Sequence, residues 1–126
     1  KPAVRELDTA NTAQPRIAIL GSVPYTSTIS NSGAGLIQYG ALAVNRWRND
    51  GTRDNRGQWC YVKDLSNGRI WSAGHQPVCA EADWYRVLFA SDRVTFQRQR
   101  MFHMGASSNA WHSNCRTIGR GKLHGR

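Results

Sequence analysis

The chain has 126 residues, of which 40% are hydrophobic, and it carries a formal net charge of +9. This length suits one domain and leaves little room for a second. No run of about eighteen apolar residues occurs, and the first residues lack the apolar stretch of a signal peptide, so neither a membrane span nor a targeting segment is expected.

The positive charge is spread unevenly along the chain. Residues 1–100 carry 13 basic and 8 acidic side chains, whereas residues 101–126 carry 4 basic and no acidic ones. Nucleic-acid binders usually cluster Lys and Arg on one face, but here the arginines are scattered between turns and predicted strands. We therefore expect no nucleic-acid partner. A small basic domain that stacks bases on its aromatic side chains is kept as an alternative.

Cysteine and histidine spacing suggests neither disulfides nor metal. The chain has three cysteines, an odd number without metal-ligand spacing: Cys60, Cys79 and Cys115. This pattern favours a reducing compartment, and we expect a cytoplasmic location. The remaining candidates for zinc are too irregularly spaced for a tetrahedral site: His103, His112, Cys115 and His124. No metal or other cofactor is expected.

Residues 1–15 are mostly polar and are expected to form an irregular lead-in without packing of its own. Short runs of β-branched and apolar residues follow at a spacing near ten, which is typical of an antiparallel β-sandwich. The predicted strands are residues 16–20, 24–30, 42–47, 58–64, 69–72, 84–90 and 93–97. Residues 31–35 read as a flexible connection, and no sustained helical periodicity occurs.

Two hairpins are the clearest local predictions. Residues 61–72 should turn at Ser66, Asn67 and Gly68, where a residue can adopt positive φ. A second hairpin should turn at Ser91 and Asp92.

Alternation in the second hairpin predicts which side chains face the core. In its first strand the inward residues should be Tyr85, Val87 and Phe89. In its second strand the inward residues should be Val94 and Phe96, with Arg93, Thr95 and Gln97 facing water. We expect these two strands at the edge of a sheet.

The strand pattern stops near residue 100. Residues 101–126 contain only scattered apolar side chains, too few to offset the entropy of ordering. We predict that they form a disordered or out-of-frame tail. The sandwich of residues 16–100 would then be partial.

The sequence offers no convincing catalytic residue. Asp50 and Asp54 lie in one polar turn, whereas a glycosidase needs two carboxylates held across a sugar ring. His75 follows a predicted strand, but no recognisable nucleophile accompanies it. Gly33 and Gly35 lack the third glycine and the helix of a nucleotide-binding loop.

Aromatic and planar polar side chains are better candidates for sugar contacts. Four tryptophans lie in separate predicted strands: Trp47, Trp59, Trp71 and Trp84. A tryptophan face can stack on a sugar ring, while Arg and amides such as Gln76 can bond its hydroxyls. Most strand tryptophans nevertheless belong to the core. Trp47 and Trp71 are our stacking candidates, and alternation places Arg46 and Arg48 on the face opposite Trp47.

Four segments in order carry a family resemblance: residues 42–50 (LAVNRWRND), 52–54 (TRD), 60–64 (CYVKD) and 71–77 (WSAGHQP). Together they resemble the N-terminal β-sandwich region of glycoside hydrolase family 94, formerly glycosyltransferase family 36, in the form found in cyclic β-1,2-glucan synthases. The resemblance runs from about residue 15 to residue 100. The chain departs from the family pattern at Leu36 and Ile37, where an aromatic residue and a serine are usual.

The resemblance implies a part of a larger sugar-processing protein, of a kind that can be attached to a membrane. Family members are phosphorylases or glucan-processing enzymes whose catalytic aspartate lies in an (α/α)₆ barrel, so no aspartate here should take that role, and this chain alone should be inactive. A sandwich packed against the barrel would contribute residues to the rim of the substrate cleft. It would contact a glucan or glucosyl substrate weakly. The rim candidates are Arg46, Arg48, Asp54, His75 and Gln76.

Two further expectations concern assembly. A partial sandwich exposes strand edges and apolar surface, so the isolated chain should be poorly soluble or form a homo-oligomer. The competing interpretation is a purely structural module between domains or at a dimer interface.

Overall fold

The computed structural model describes the backbone of residues 3–46, 48, 56–104 and 107–118, and the side chains of those residues up to residue 100. Every regular element in these ranges is a β-strand and every strand pair is antiparallel. The all-β class predicted from the strand spacing is therefore confirmed.

Two four-stranded sheets and a small hairpin make up the described structure. One sheet has the order β1-β8-β9-β10, from Arg5–Leu7, Trp84–Phe89, Arg93–Met104 and Ser107–Ile118. The second has the order β2-β3-β4-β5, from Ile17–Ser22, Tyr25–Ser30, Gly35–Tyr39 and Leu42–Ala43. The small hairpin pairs β6, Tyr61–Lys63, with β7, Ile70–Ser72.

The core lies where the two four-stranded sheets meet. Alternation along β8 and β9 sends apolar side chains to one face, and the register sets Val87 opposite Phe96 and Phe89 opposite Val94. These four meet the side chains of Leu20 and Ile29 from the β2–β5 sheet. The inward faces predicted for this hairpin are confirmed.

The predicted edge position of β8 and β9 is wrong. β8 lies between β1 and β9, and β9 lies between β8 and β10. Thr95, predicted to face water, is buried, because its strand has a neighbour on each side, with Leu88 and Arg116 as its register partners.

The lead-in prediction is also wrong for Arg5–Leu7, which forms β1 and pairs with β8. One ion pair and one apolar side chain hold this strand in place. The Glu6 carboxylate lies 2.8 Å from the Arg86 guanidinium, and Leu7 packs against the core. Strand pairing here depends on main-chain hydrogen bonds and one inward residue, so the polar composition of residues 1–15 concealed it.

The Asn31 side chain binds the segment between β1 and β2, at Thr9, Ala10 and Arg16. Its buried side-chain amide donates to the carbonyls of Thr9 and Ala10, both at 3.2 Å, and its Oδ1 accepts from the Arg16 amide at 3.0 Å. Residues 31–35, predicted as a flexible connection, therefore form an ordered turn that ends at the start of β4.

Residues 107–118, predicted as part of a disordered or out-of-frame tail, form the strand β10 in the structure. This strand pairs with β9 from Ser107 opposite Met104 to Ile118 opposite Arg93. A main-chain ladder places no apolar requirement on side chains, and β9 offers a free edge to pair with. Residues 105–106 and 119–126 lie outside the described residues.

Local turn chemistry was predicted well, but strand lengths were not. The β6–β7 hairpin is confirmed, with Gly68 at φ 73°, and the turn between β8 and β9 closes through a bond from the Ala90 amide to the Arg93 carbonyl. Of the strand predicted over residues 42–47, the described residues 42–46 form a strand only at Leu42–Ala43, because the Asn45 side chain bonds the Ile37 amide and the Gly35 carbonyl in place of a ladder.

Candidate functional site

A cavity of about 240 Å³ opens beside the core between the β2–β5 sheet and the small hairpin. One wall comes from β3 and β4, a second from the segment that enters β6, and a third from the turn that leaves β7. The lining residues are Ser27, Thr28, Ile29, Gly33, Gly35, Ile37, Gln58, Trp59, Cys60, Ala73, Gly74, Gln76 and Phe96. None of them carries a charge at neutral pH.

Close backbone packing forms the corner of the cavity between two glycine turns. A Cβ added at Gly74 would lie 2.8 Å from the Ser32 carbonyl oxygen, and one at Gly33 would lie 3.7 Å from the Trp59 ring. Gly33 also has a φ of 100°, a conformation that side chains oppose. Glycine at both positions lets the turns touch and leaves the Trp59 indole against the backbone.

Main-chain bonds hold the three walls together. The Gln76 amide donates to the Ser32 carbonyl at 3.0 Å, and the Ala73 amide donates to the Cys60 carbonyl at 2.8 Å. The third wall is thus fixed both to the β3–β4 turn and to the segment that carries Trp59.

Arg98 is the main support of the turn that follows β7. Its side chain is 4% exposed and lies on the same face of β9 as Val94 and Phe96. The guanidinium donates to the carbonyls of Ser72 and Gly74, both at 2.9 Å, and to those of Ala80 and Glu81. One buried cation therefore fixes residues 72–81 through their backbone. Arg98 was not among the residues proposed from the sequence, although alternation along β9 places it on the same inward face as Val94 and Phe96.

Two titratable groups lie close to Arg98 behind the cavity wall. Burial raises the pKa of the Tyr85 hydroxyl, which donates to the Asn31 carbonyl at 2.8 Å. Burial, and then the charge of Arg98, lower the pKa of His75 below its ordinary value of 6.5. His75 is therefore neutral at pH 7 and adds no charge beside the cavity.

The lowered pKa of His75 predicts an acid-sensitive fold. In the unfolded chain His75 takes up a proton near pH 6.5, whereas in the folded chain it does so only at lower pH. The contribution of neutral His75 to the free energy of unfolding is therefore fully present above pH 6.5. It is lost as the pH falls through 6.5, and the loss levels off below the folded-state pKa. Urea titrations between pH 7.5 and pH 5 should show this decline, and His75→Gln should remove that part of it. An unchanged pH profile in the variant would contradict the assignment.

The predicted sugar-contact residues do not all come together. Gln76 lines the cavity, and His75 lies next to it in the same turn, half-buried. Trp71 is half-buried in β7 and is not among the lining residues, and Arg46 and Arg48 are exposed away from the lining. Trp47 and Asp54 lie outside the described residues. The sugar-contact roles given to these residues stay predictions.

Trp59, noted in the sequence only as one of four tryptophans, is the aromatic side chain of the cavity. It lies outside any described strand, in the extended segment before β6. A half-buried indole with the amides of Gln58 and Gln76 and the hydroxyl of Ser27 gives one apolar face and several hydrogen-bonding groups. Such a lining suits an uncharged ligand that has both C–H and hydroxyl surfaces.

Among the residues that the structure describes, no carboxylate or imidazole side chain lines the cavity. Across the side chains that the structure describes, no three potential metal ligands gather at one point. Over the same part of the chain, no helix is long and apolar enough to cross a bilayer.

Comparison with known proteins gives two matches. Residues 1–101 match the family model described as glycosyl hydrolase 94, supersandwich domain. The chain is 25% identical over 96 residues to the cyclic beta-(1,2)-glucan synthase NdvB of Rhizobium meliloti (strain 1021). That alignment covers 76% of this chain and 3% of the relative, so the chain spans a small part of that protein's length.

Proposed function

Because the chain belongs to the supersandwich-domain family of glycosyl hydrolase 94, we propose that it is a carbohydrate-associated, non-catalytic sandwich whose cavity holds one glucosyl unit of a glucan. The family membership predicted from the four ordered segments is confirmed by the match over residues 1–101. The glucan is proposed from the printed function of the relative, a cyclic beta-(1,2)-glucan synthase.

The observation that carries the proposal is the composition of the cavity. A tryptophan face and amide side chains around an uncharged space match the two surfaces of a pyranose ring, its C–H face and its hydroxyl edge. A phosphate ligand would call for Lys, Arg or a helix N-terminus, and none of these is among the described residues that line the cavity. The lining therefore favours a neutral sugar over a nucleotide or nucleic acid.

The proposed module does not cleave or transfer sugar by itself. Glycoside chemistry requires a carboxylic acid beside the glycosidic oxygen, and the described part of the cavity lining has none. We assign the chemical step to another domain of a larger protein that resembles the relative. In that protein this sandwich would position glucan beside a catalytic domain.

Replacement of Trp59 by alanine should abolish the main stacking surface. We expect the affinity for a β-1,2-linked glucose disaccharide to fall at least about tenfold, equivalent to roughly 1.4 kcal/mol. Titration followed by two-dimensional amide NMR measures the affinity and shows in the same spectra whether the variant is folded. Gln58→Ala, at an exposed lining position, should give a smaller loss.

Trp84→Phe is the matched control, since Trp84 lies on β8 under the Arg86 guanidinium and outside the cavity. This variant should bind the disaccharide like the parent chain. Equal affinities for all three variants would contradict the cavity as the site. Preferential binding of oligonucleotides, weakening steeply with salt, would instead support a nucleic-acid function.

A further inference from the structure

The β2–β5 sheet is free of charge. Its strands read IAILGS, YTSTIS, GLIQY and LA, without one Asp, Glu, Lys or Arg. The whole chain has 25 such residues, 17 basic and 8 acidic, among 126. A sheet with hydroxyl and amide groups but no charges has no electrostatic attraction for phosphate or for acidic peptides.

Three large side chains form a row across this sheet. The register sets Tyr25 opposite Tyr39, and Tyr39 opposite Leu42, so the three lie side by side on three neighbouring strands. Each is well exposed: Tyr25 at 49%, Tyr39 at 56% and Leu42 at 70%. We call this set the aromatic row.

The aromatic row lies on the same face of the sheet as the cavity. Two residues further along their strands, Tyr25 is followed by Ser27 and Tyr39 is preceded by Ile37, and both of these line the cavity. Side chains two apart in a strand share a face and lie roughly 7 Å apart. The row and the cavity therefore form one continuous surface that starts at Trp59 and runs outward over the tyrosines.

From this continuity we infer that the aromatic row is an extended subsite, which binds glucosyl units of a neutral glucan beyond the unit in the cavity. The inference rests on the proposed function, because it takes the cavity as the first subsite. Tyrosine rings present flat faces for sugar C–H groups and a hydroxyl for hydrogen bonding, at little entropic cost.

The size of the row argues for a sugar chain over a protein partner. Two half-exposed tyrosines and a leucine offer on the order of 300 Å², whereas a stable protein interface needs about 800 Å² from each partner. A few glucosyl units need no more than the smaller area.

The test compares sugar chain length with the row intact and removed. Amide NMR titrations of the full chain would use a β-1,2-linked disaccharide and a β-1,2-linked hexasaccharide. The parent chain should bind the hexasaccharide about tenfold more tightly. In the double variant Tyr25→Ser, Tyr39→Ser, the disaccharide affinity should stay unchanged and the tenfold gain should disappear.

Tyr61→Ser is the control, because Tyr61 is 56% exposed like Tyr39 but belongs to β6 and lies outside the row. It should keep the full gain. Binding of the disaccharide without any chain-length gain, or a gain that survives in the double variant, would overturn the subsite and leave the cavity standing. No disaccharide binding would overturn the proposed function itself. Sedimentation showing self-association that the double variant abolishes would identify the row as a contact between copies, also against the inference.

Discussion

Replacement of Arg98 by methionine is expected to destabilise the fold by about 3–5 kcal/mol. The guanidinium is buried and bonds the carbonyls of Ser72, Gly74, Ala80 and Glu81. Methionine fills a similar volume but donates no hydrogen bond, so the buried carbonyls of Ser72 and Gly74 would lose their charged donor. A loss of this size is a large part of the stability of a small domain.

Urea denaturation followed by circular dichroism measures the loss, and Arg93→Met on the same strand is the control. Arg93 pairs with its neighbour Asp92 at 3.2 Å and is 41% exposed at the side chain, so its loss should cost well under 1 kcal/mol. Equal denaturation midpoints for the two variants would show that the carbonyls of residues 72–81 do not depend on Arg98.

Truncation of Phe96 to alanine is expected to cost about 3–5 kcal/mol and to alter the cavity as well. Phe96 is 4% exposed and lies opposite Val87 in the pairing of β8 with β9. It also lines the cavity, as Trp59 does. Removing the ring takes apolar contacts from the core and opens the cavity toward it. Binding of the disaccharide should weaken along with stability.

The control for this change is Leu65→Ala, at a turn position with 89% exposure. Its free energy of unfolding in urea titrations should lie within about 0.5 kcal/mol of the value for the parent chain. A Phe96→Ala variant as stable as Leu65→Ala would mean that the two sheets do not meet at this ring.

Turns and the inward faces of strands, which depend on neighbouring residues, were predicted correctly. Gly68 marked the β6–β7 turn, and strict alternation through Tyr85, Val87 and Phe89 identified the core face of β8. The family was likewise readable from short ordered segments between residues 42 and 77.

Features that depend on distant partners were missed. β1 and β10 have few apolar residues, and only the edges of β8 and β9 make them strands. β4 begins at Gly35, whose glycine-rich surroundings read as a loop, although the chain packs tightly against β3 there.

The candidate cavity contains one of the residues proposed from the sequence for sugar contact. Gln76 was chosen as a planar amide after a strand, and it lines the cavity. Trp59 and Trp71 both lie in predicted strands, so strand position could not decide between them, and proximity to the cavity depends on how the small hairpin docks. Arg98 read as one more scattered arginine, because its four acceptors are backbone carbonyls between 17 and 26 residues away in sequence.

The cavity draws its walls from residues as far apart as Ser27 and Phe96, so it exists only after both sheets and the small hairpin have assembled. A sugar that recognises it would bind the native chain and ignore the denatured one. By mass action, ligand at ten times its dissociation constant would then add roughly 1.4 kcal/mol to the unfolding free energy. A sugar of the proposed kind, bound in the cavity, would in this way act as a folding ligand for the domain.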